Sequence, residues 1–488
     1  MASLTKRTIV LILCRVMNYG VMLLSPIFLV RIFDVRAYGQ YREFMLYTIL
    51  ISGLIQFSVN TNLIYFIPKY PGRERQSVTH TALLILIASS IGSIAVYFLK
   101  SLILARTSYD FIAPLIVYLF FFLNFEFFEN YWLGKKRTDY VLYYSFGRVF
   151  VRTVALLVSA YISRDVMTVI RTMIVVECIK CLFVFTMLRT VLTRRLDRSL
   201  LREQLRFIIP LGSAGVLSLV NQQLASLFIS IKMGVERLAL YTIGGQQIPV
   251  INIVRASVMD VLFPEMAQIG DAERLHLWRR ANVVFCAMVF PVYAVFFCYA
   301  RTFIETLFTA NYLAAVPLLR IYLTLIVIQC FEMGTPLRAA NQNKYFIFGS
   351  IFDLSINIGL ILLLYRPVGF VTPALSFVLG ECATTAYLGS RILHCYHIPL
   401  RALFLWKRIF AILCCTVLAL PALVIGSWID LNPIIRAVSF SILYLVVYYV
   451  AIRRLKIDEV ELLVDKLTSR LREMRIRVDE RGALPPGD

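Results

Sequence analysis

The sequence predicts an all-α polytopic membrane protein of about fourteen transmembrane helices, each about 20 apolar residues long. Three observations carry that prediction. The 488 residues are 59% hydrophobic and only 16% charged, against roughly 45–50% and 25% in an average soluble protein. Apolar runs long enough to cross a ~30 Å hydrocarbon core recur from one end of the chain to the other. The cations between those runs gather in alternate connections, as they do where Lys and Arg set the orientation of a membrane protein. The net charge of +21 therefore belongs to topology. Nucleic acid, which so basic a soluble chain would suggest, is not an expected partner.

Apolar windows and helix breakers place the spans near 8–32, 43–67, 80–104, 110–131, 141–162, 167–188, 206–232, 238–262, 281–301, 315–338, 345–365, 370–393, 402–426 and 433–452. Lys6 and Arg7 ahead of the first run resemble a signal peptide. The run is too long for one and no small-residue cleavage site follows, so it reads as the first spanning helix. Even-to-odd connections carry Lys69, Arg73, Arg75, then Lys135, Lys136, Arg137, then Arg189, Arg194, Arg195, Arg198, Arg202, Arg206, then Arg274, Arg279, Arg280. Opposite connections hold few, such as Arg301 or Arg366 alone. Both termini are expected in the cytoplasm, in a cell inner membrane. The ten cysteines lie in or beside apolar segments, where no disulfide framework is expected. Cys178 and Cys181 form a CxxC, but inside a lipid-embedded helix that spacing reads as packing.

The densest basic stretch, 189–206, suggests a linker between two six-helix halves. The expected organisation is an N-lobe over 1–188, a basic cytoplasmic linker over 189–205, and a C-lobe over 206–393. Two further helices follow over 394–452, then a cytoplasmic amphipathic helix and tail over 453–488. Phe28, Val35 and Tyr41 recur as Phe228, Val235 and Tyr241, and Phe66-Ile67-Pro68 has a counterpart in Leu262-Phe263-Pro264. Both halves start on the same side, so these are parallel repeats, which place a substrate path between the halves. In the tail, Val460, Leu463, Val464, Leu467 and Leu471 share one helical face among Lys466, Arg470, Arg472 and Arg475. That pattern fits a helix lying on the membrane surface, with partner docking as the alternative.

A charge inside a spanning helix costs several kcal/mol unless it is paired or faces water, so each is a candidate functional residue. Arg15 lies in span one with Asn18 on its face. Arg148 and Arg152 are four apart in span five; Glu177 and Lys180 are three apart in span six, with Glu177 level with Arg152. Arg255 follows Asn252 by one turn in span eight. Asn221-Gln222-Gln223 sit near the middle of span seven, and Arg320, Glu332, Asp353 and Glu381 continue the series. A bland reading makes Arg152 and Glu177 a pair that locks two helices, and assigns Glu126, Glu129 and Asp260 to neutralising loop cations. The deep cations outnumber the deep acids counted this way. A cationic, water-filled cleft binds an anion, and guanidinium donors match phosphate.

Arg31-Ile32-Phe33-Asp34-Val35-Arg36-Ala37-Tyr38-Gly39-Gln40-Tyr41 resembles the segment after the first helix in Wzx-type polysaccharide and oligosaccharide flippases. That family belongs to the superfamily that includes MATE exporters and lipid II flippases. Ile209-Pro210-Leu211-Gly212, Ile248-Pro249, Leu262-Phe263-Pro264 and the run from Asn357 to Gly369 resemble it too. The resemblance implies two six-helix lobes in a V around a central cavity, with alternating access. It also implies translocation of a lipid-linked oligosaccharide of the undecaprenyl-pyrophosphate type for surface polysaccharide biosynthesis. Expected partners are the lipid-linked sugar, membrane lipids and, as candidates, a polysaccharide polymerase or other assembly proteins. Lipid II flippases carry cavity arginines on helices 1, 2 and 8. Arg15 and Arg255 match two of them, whereas Arg42 stands at the outer edge of the second span.

The expected substrate-binding set is Arg15, Arg148, Arg152, Arg255, Lys180, Asn18, Asn221, Gln222 and Asn252, with Glu177 and Asp353 as ion-coupling carboxylates. No catalytic residue, metal or cofactor is expected. A MATE-like antiporter for drugs or metabolites is the alternative; it needs buried carboxylates, and span one carries none. A membrane polysaccharide polymerase would need acid/base groups beside a large outer loop. The four histidines, His80, His276, His394 and His397, sit elsewhere. No G-x-x-x-x-G-K-[ST] stretch occurs, so ATP hydrolysis is not expected to drive transport.

Overall fold

The computed structural model describes residues 20–21, 24–98, 110–245, 266, 268–340, 342, 344–429, 431–458 and 461. Most of spans one and eight lies outside them, as does the tail beyond 461. Among the described residues the regular structure is helical, as lipid demands of a backbone that must satisfy its own hydrogen bonds. Among the described residues, nine helices, or ten with one bent pair, are long and apolar enough to cross a membrane.

The chain divides into two compact units. The first comprises Met1–Gln247, Leu307–Leu319 and Asp353–Phe377; the second comprises Ile248–Thr306, Arg320–Phe352 and Val378–Asp488.

In the first unit, α1 (24–32) leads through Asp34 into α2 (Val35–Gln56). Asp34 caps α2 by accepting from the Ala37 amide at 2.6 Å. The helix thus starts within the segment from Arg31 to Tyr41, eight residues before the predicted boundary, because a capping carboxylate satisfies an otherwise orphaned donor. Gly39 is why α2 can lie on α10 (Val235–Gly244): a Cβ there would collide with the Val235 carbonyl. At Phe57 and Ser58 the chain turns through positive φ of 40° and 61°, so the Val59–Lys69 segment containing α3 (Asn62–Lys69) leaves α2 at 58°. Gly212 of α9 (Arg198–Met233) makes room for that bend, since a Cβ there would meet the Phe57 ring. Nothing in the local residue types announces the break; packing imposes it.

α4 (Glu74–Phe98) follows. The fourth span is two helices, α5 (Ile112–Leu123) and α6 (Phe128–Gly134), and α7 (Thr138–Ser163) and α8 (Val166–Leu188) complete the half. α9 begins at Arg198, eight residues ahead of the predicted start, because Asp197 caps it by accepting from the Ser199 and Leu200 amides. The basic linker is thereby shortened. His80 Nε2 accepts from the Asp197 amide at 3.2 Å, so its Nδ1 carries the proton and donates to Gln204 Oε1 at 3.2 Å. Lys69 meets Glu203 at 2.8 Å, and Arg73 meets Asp197 at 3.2 Å.

In the second unit, α11 (Asp271–Cys298) is largely buried. α12 (Ala300–Phe308), α13 (Val316–Gln329) and α14 (Gly334–Ala339) follow it in the chain. α15 (Lys344–Val368) and α16 (Thr372–Cys395), whose residues from Asp353 to Phe377 belong to the first unit, then α17 (Trp406–Trp428) and α18 (Pro433–Arg454) complete the order. Tyr448 of α18 donates to the Ala287 carbonyl of α11 at 2.7 Å. Glu332, one of the intramembrane acids, accepts from the Gly334 and Thr335 amides at 2.8 and 3.1 Å and so caps α14.

Candidate functional site

Two polar clusters lie in the first unit. The larger begins at the break in span four, where Phe125 adopts a φ of 63°. Ending α5 at Leu123 frees carbonyls that lipid cannot satisfy. Asn124 Nδ2 donates to Phe120 O at 2.7 Å, Cys181 Sγ to Phe121 O at 2.9 Å, and Lys180 Nζ to Phe122 O at 3.0 Å. The CxxC of α8 therefore does more than pack: Cys181 repairs a helix end.

The break also delivers Glu126 among the cations. Arg148 Nη1 binds Glu126, and its Nη2 lies 3.6 Å from Glu129. Lys180 Nζ lies 2.7 Å from Glu177 and 3.4 Å from Glu126. Arg152 approaches Glu177 at 3.9 Å and donates to the Tyr118 hydroxyl at 2.8 Å. The side chains of Glu177 and Lys180 are 4% and 7% exposed. Arg148, Arg152 and Lys180 are thus matched by Glu126, Glu129 and Glu177, and the cluster sums to zero. This corrects the sequence-based charge count. Glu126 and Glu129 do not serve loop cations, because the break turns them inward. The signal that could have exposed this is the dipeptide Asn124-Phe125 ahead of Glu126, since Asn ends helices readily.

The smaller cluster joins α9 to α15. Asn221 Nδ2 donates to Asp353 Oδ2 at 2.5 Å, and Asn357 Nδ2 donates to Asn221 Oδ1 at 3.4 Å. Asp353 and Asn357 are buried. Asp353 Oδ1 and Asn357 Oδ1 have no hydrogen-bond partner among the described residues. Two predicted site residues, Asn221 and Asp353, are thereby brought together, and Asn357 joins them unpredicted. Gln222 points elsewhere, donating to Ser218 Oγ at 3.0 Å on an exposed face.

Arg15, Asn18, Asn252 and Arg255 lie outside the described residues. Arg42 is two turns inside α2, not at its edge, because Asp34 starts the helix early; its Nε is buried with no hydrogen-bond partner among the described residues. Among the described residues no group of three His, Cys, Asp or Glu side chains is placed to hold a metal.

A model of the family described as polysaccharide biosynthesis protein matches residues 28–317. No curated protein matches the chain in sequence. In structure the chain is similar to the lipid II flippase MurJ in an inward closed conformation, with a TM-score of 0.66 and 12% identity over 90% of this chain and 99% of that one. It is similar to an inward-facing multidrug resistance MATE family transporter of the MOP superfamily, with a TM-score of 0.59 and 15% identity over 77% of this chain and 94% of that one. A MOP superfamily transporter from Pyrococcus furiosus aligns with a TM-score of 0.53 and 15% identity over 81% of this chain and 96% of that one. At these identities the likeness is one of fold.

Proposed function

The chain belongs to the polysaccharide biosynthesis protein family, and we propose that it is a flippase for a lipid-linked oligosaccharide of the undecaprenyl-pyrophosphate type. It carries the head group from the cytoplasmic to the outer leaflet of the cell membrane by alternating access, with both termini in the cytoplasm. The observation that carries this reading is a polysaccharide-family match over 28–317 on a chain with a transporter fold. A cavity replaces the water a sugar and pyrophosphate lose in the bilayer, and cations offset the cost of bringing phosphate charge to mid-membrane.

The charge balance redistributes the roles. Arg148, Arg152 and Lys180 are committed to carboxylates and hold α5 through α8 together. Arg15, Arg42 and Arg255 become the proposed phosphate-binding set, and Asn18, Gln222 and Asn252 the proposed sugar-binding set. Glu177 is neutralised by Lys180, which leaves Asp353, with Asn221, as the ion-coupling carboxylate. Its unpartnered oxygen and that of Asn357 suit a proton or a hard cation. A polymerase or other assembly protein would receive the product.

The test is loss of the protein in its host. A lipid-linked glycan should accumulate on the cytoplasmic leaflet, and Arg15→Gln, Arg42→Gln and Arg255→Gln should each fail to relieve it at normal protein levels. Full relief by all three would contradict the cationic site. A second reading, a MATE-like antiporter, draws support from the buried carboxylate Asp353. It predicts altered drug susceptibility on loss with no glycan accumulation.

A further inference from the structure

We propose that the first unit binds an anionic glycerophospholipid of the surrounding bilayer, with one acyl chain in a groove between α4, α5 and α8 and the phosphate at the basic turn 189–195. The groove has a volume of about 400 Å³ and is lined almost wholly by apolar groups, among them Ala82, Leu86, Phe121, Leu182 and Phe185. It follows α4 from Thr79 to Leu86, about 10 Å at 1.5 Å per residue. Leu86 and Leu182 are exposed, so the groove opens sideways to lipid and a chain enters without leaving the bilayer.

Charge complementarity selects the head group. Thr79 and Leu192 both line the groove, and Thr79 is the lining residue of α4 nearest its start. Thr79 Oγ1 accepts from the Thr193 amide at 3.0 Å, and the Arg75 guanidinium donates to Thr190 O, which fold the turn over that end. Arg75, Arg189, Arg194 and Arg195 are exposed there. None of the four has an ion pair among the described residues, whereas Arg73 beside them is taken by Asp197. Four guanidinium groups without an ion pair among the described residues, on or beside the turn that covers an acyl-sized groove, attract a lipid phosphate at a membrane surface. Orientation by loop cations alone explains the charge but not the groove beneath it. The proposal requires only that the chain be a membrane protein and is independent of what it transports.

The test is native mass spectrometry of the purified full chain in detergent, with equimolar phosphatidylglycerol and phosphatidylcholine added. Phosphatidylglycerol should be retained preferentially. Arg189→Gln/Arg194→Gln/Arg195→Gln should weaken that retention by about tenfold or more and leave phosphatidylcholine unchanged. Ala82→Trp, which fills the groove with the cations intact, should weaken it comparably. Unaltered gel-filtration profiles establish that both variants are folded. Equal retention of the two lipids, or unchanged phosphatidylglycerol binding in either variant, would overturn the site. Displacement of phosphatidylglycerol by equimolar undecaprenyl phosphate would overturn the assignment to a bilayer phospholipid.

Discussion

The two polar clusters of the first unit differ in how completely they are closed. The six charges around the break in span four are balanced, and Lys180 and Cys181 also satisfy backbone carbonyls. Around Asp353 there are two amides and, among the described residues, no ion-paired cation and no hydrogen-bond partner for the second carboxylate oxygen. Glu177 Oε2 too makes no hydrogen bond among the described residues, but it lies 2.7 Å from the Lys180 ammonium, so this network is matched in charge and holds helices together. A buried carboxylate with an open oxygen retains the capacity to take up a proton or a cation.

The largest effect should come from opening the closed cluster. Glu177→Gln leaves Lys180 and Arg152 short of a counter-charge and should cost about 3–5 kcal/mol, read as a fall in melting temperature in detergent. Adding Lys180→Met should restore more than half of that loss; no restoration would show that the two are not a unit. Next comes the close approach of α2 and α10. Gly39→Val should cost about 1–3 kcal/mol through overpacking against Val235. Cys181→Ala should cost about 1 kcal/mol by withdrawing the donor from Phe121 O.

The smallest effect is a pH dependence at the edge of the membrane. The Asp197 carboxyl is held below the ordinary aspartate range, first by the Ser199 hydroxyl and then by the Leu200 amide and other donors, with Arg73 adding to it. A depressed folded value means its contribution to stability is present above the ordinary aspartate value of about 3.9 and is lost as pH falls through the folded value. Asp197→Asn should flatten the acid limb of the melting curve, and an unchanged limb would assign it to other groups.

Much of the fold was legible in the sequence, because apolar length and loop charge are local signals. The helical pairing of Arg152 with Glu177 followed from spacing and antiparallel counting. The break at 124–127 and the bend at Phe57–Ser58 were not legible, since both depend on neighbours: Cys181 and Lys180 in one case, Gly212 in the other. Missing the first break misplaced Glu126 and created an apparent surplus of cations. The juxtaposition of Asn221 with Asp353 joins residues 132 apart in sequence, and no local pattern announces it.

Under the proposed function, Asp353 couples transport while the six-charge cluster holds the helices. The most direct measurement is the rate of translocation, in proteoliposomes, of the lipid-linked oligosaccharide that accumulates when the protein is lost, with and without an imposed ion gradient. Asp353→Asn should remain folded and lose the acceleration by the gradient, while Glu177→Gln/Lys180→Met should keep it. Gradient acceleration retained in Asp353→Asn and lost in the folded double variant would contradict the account.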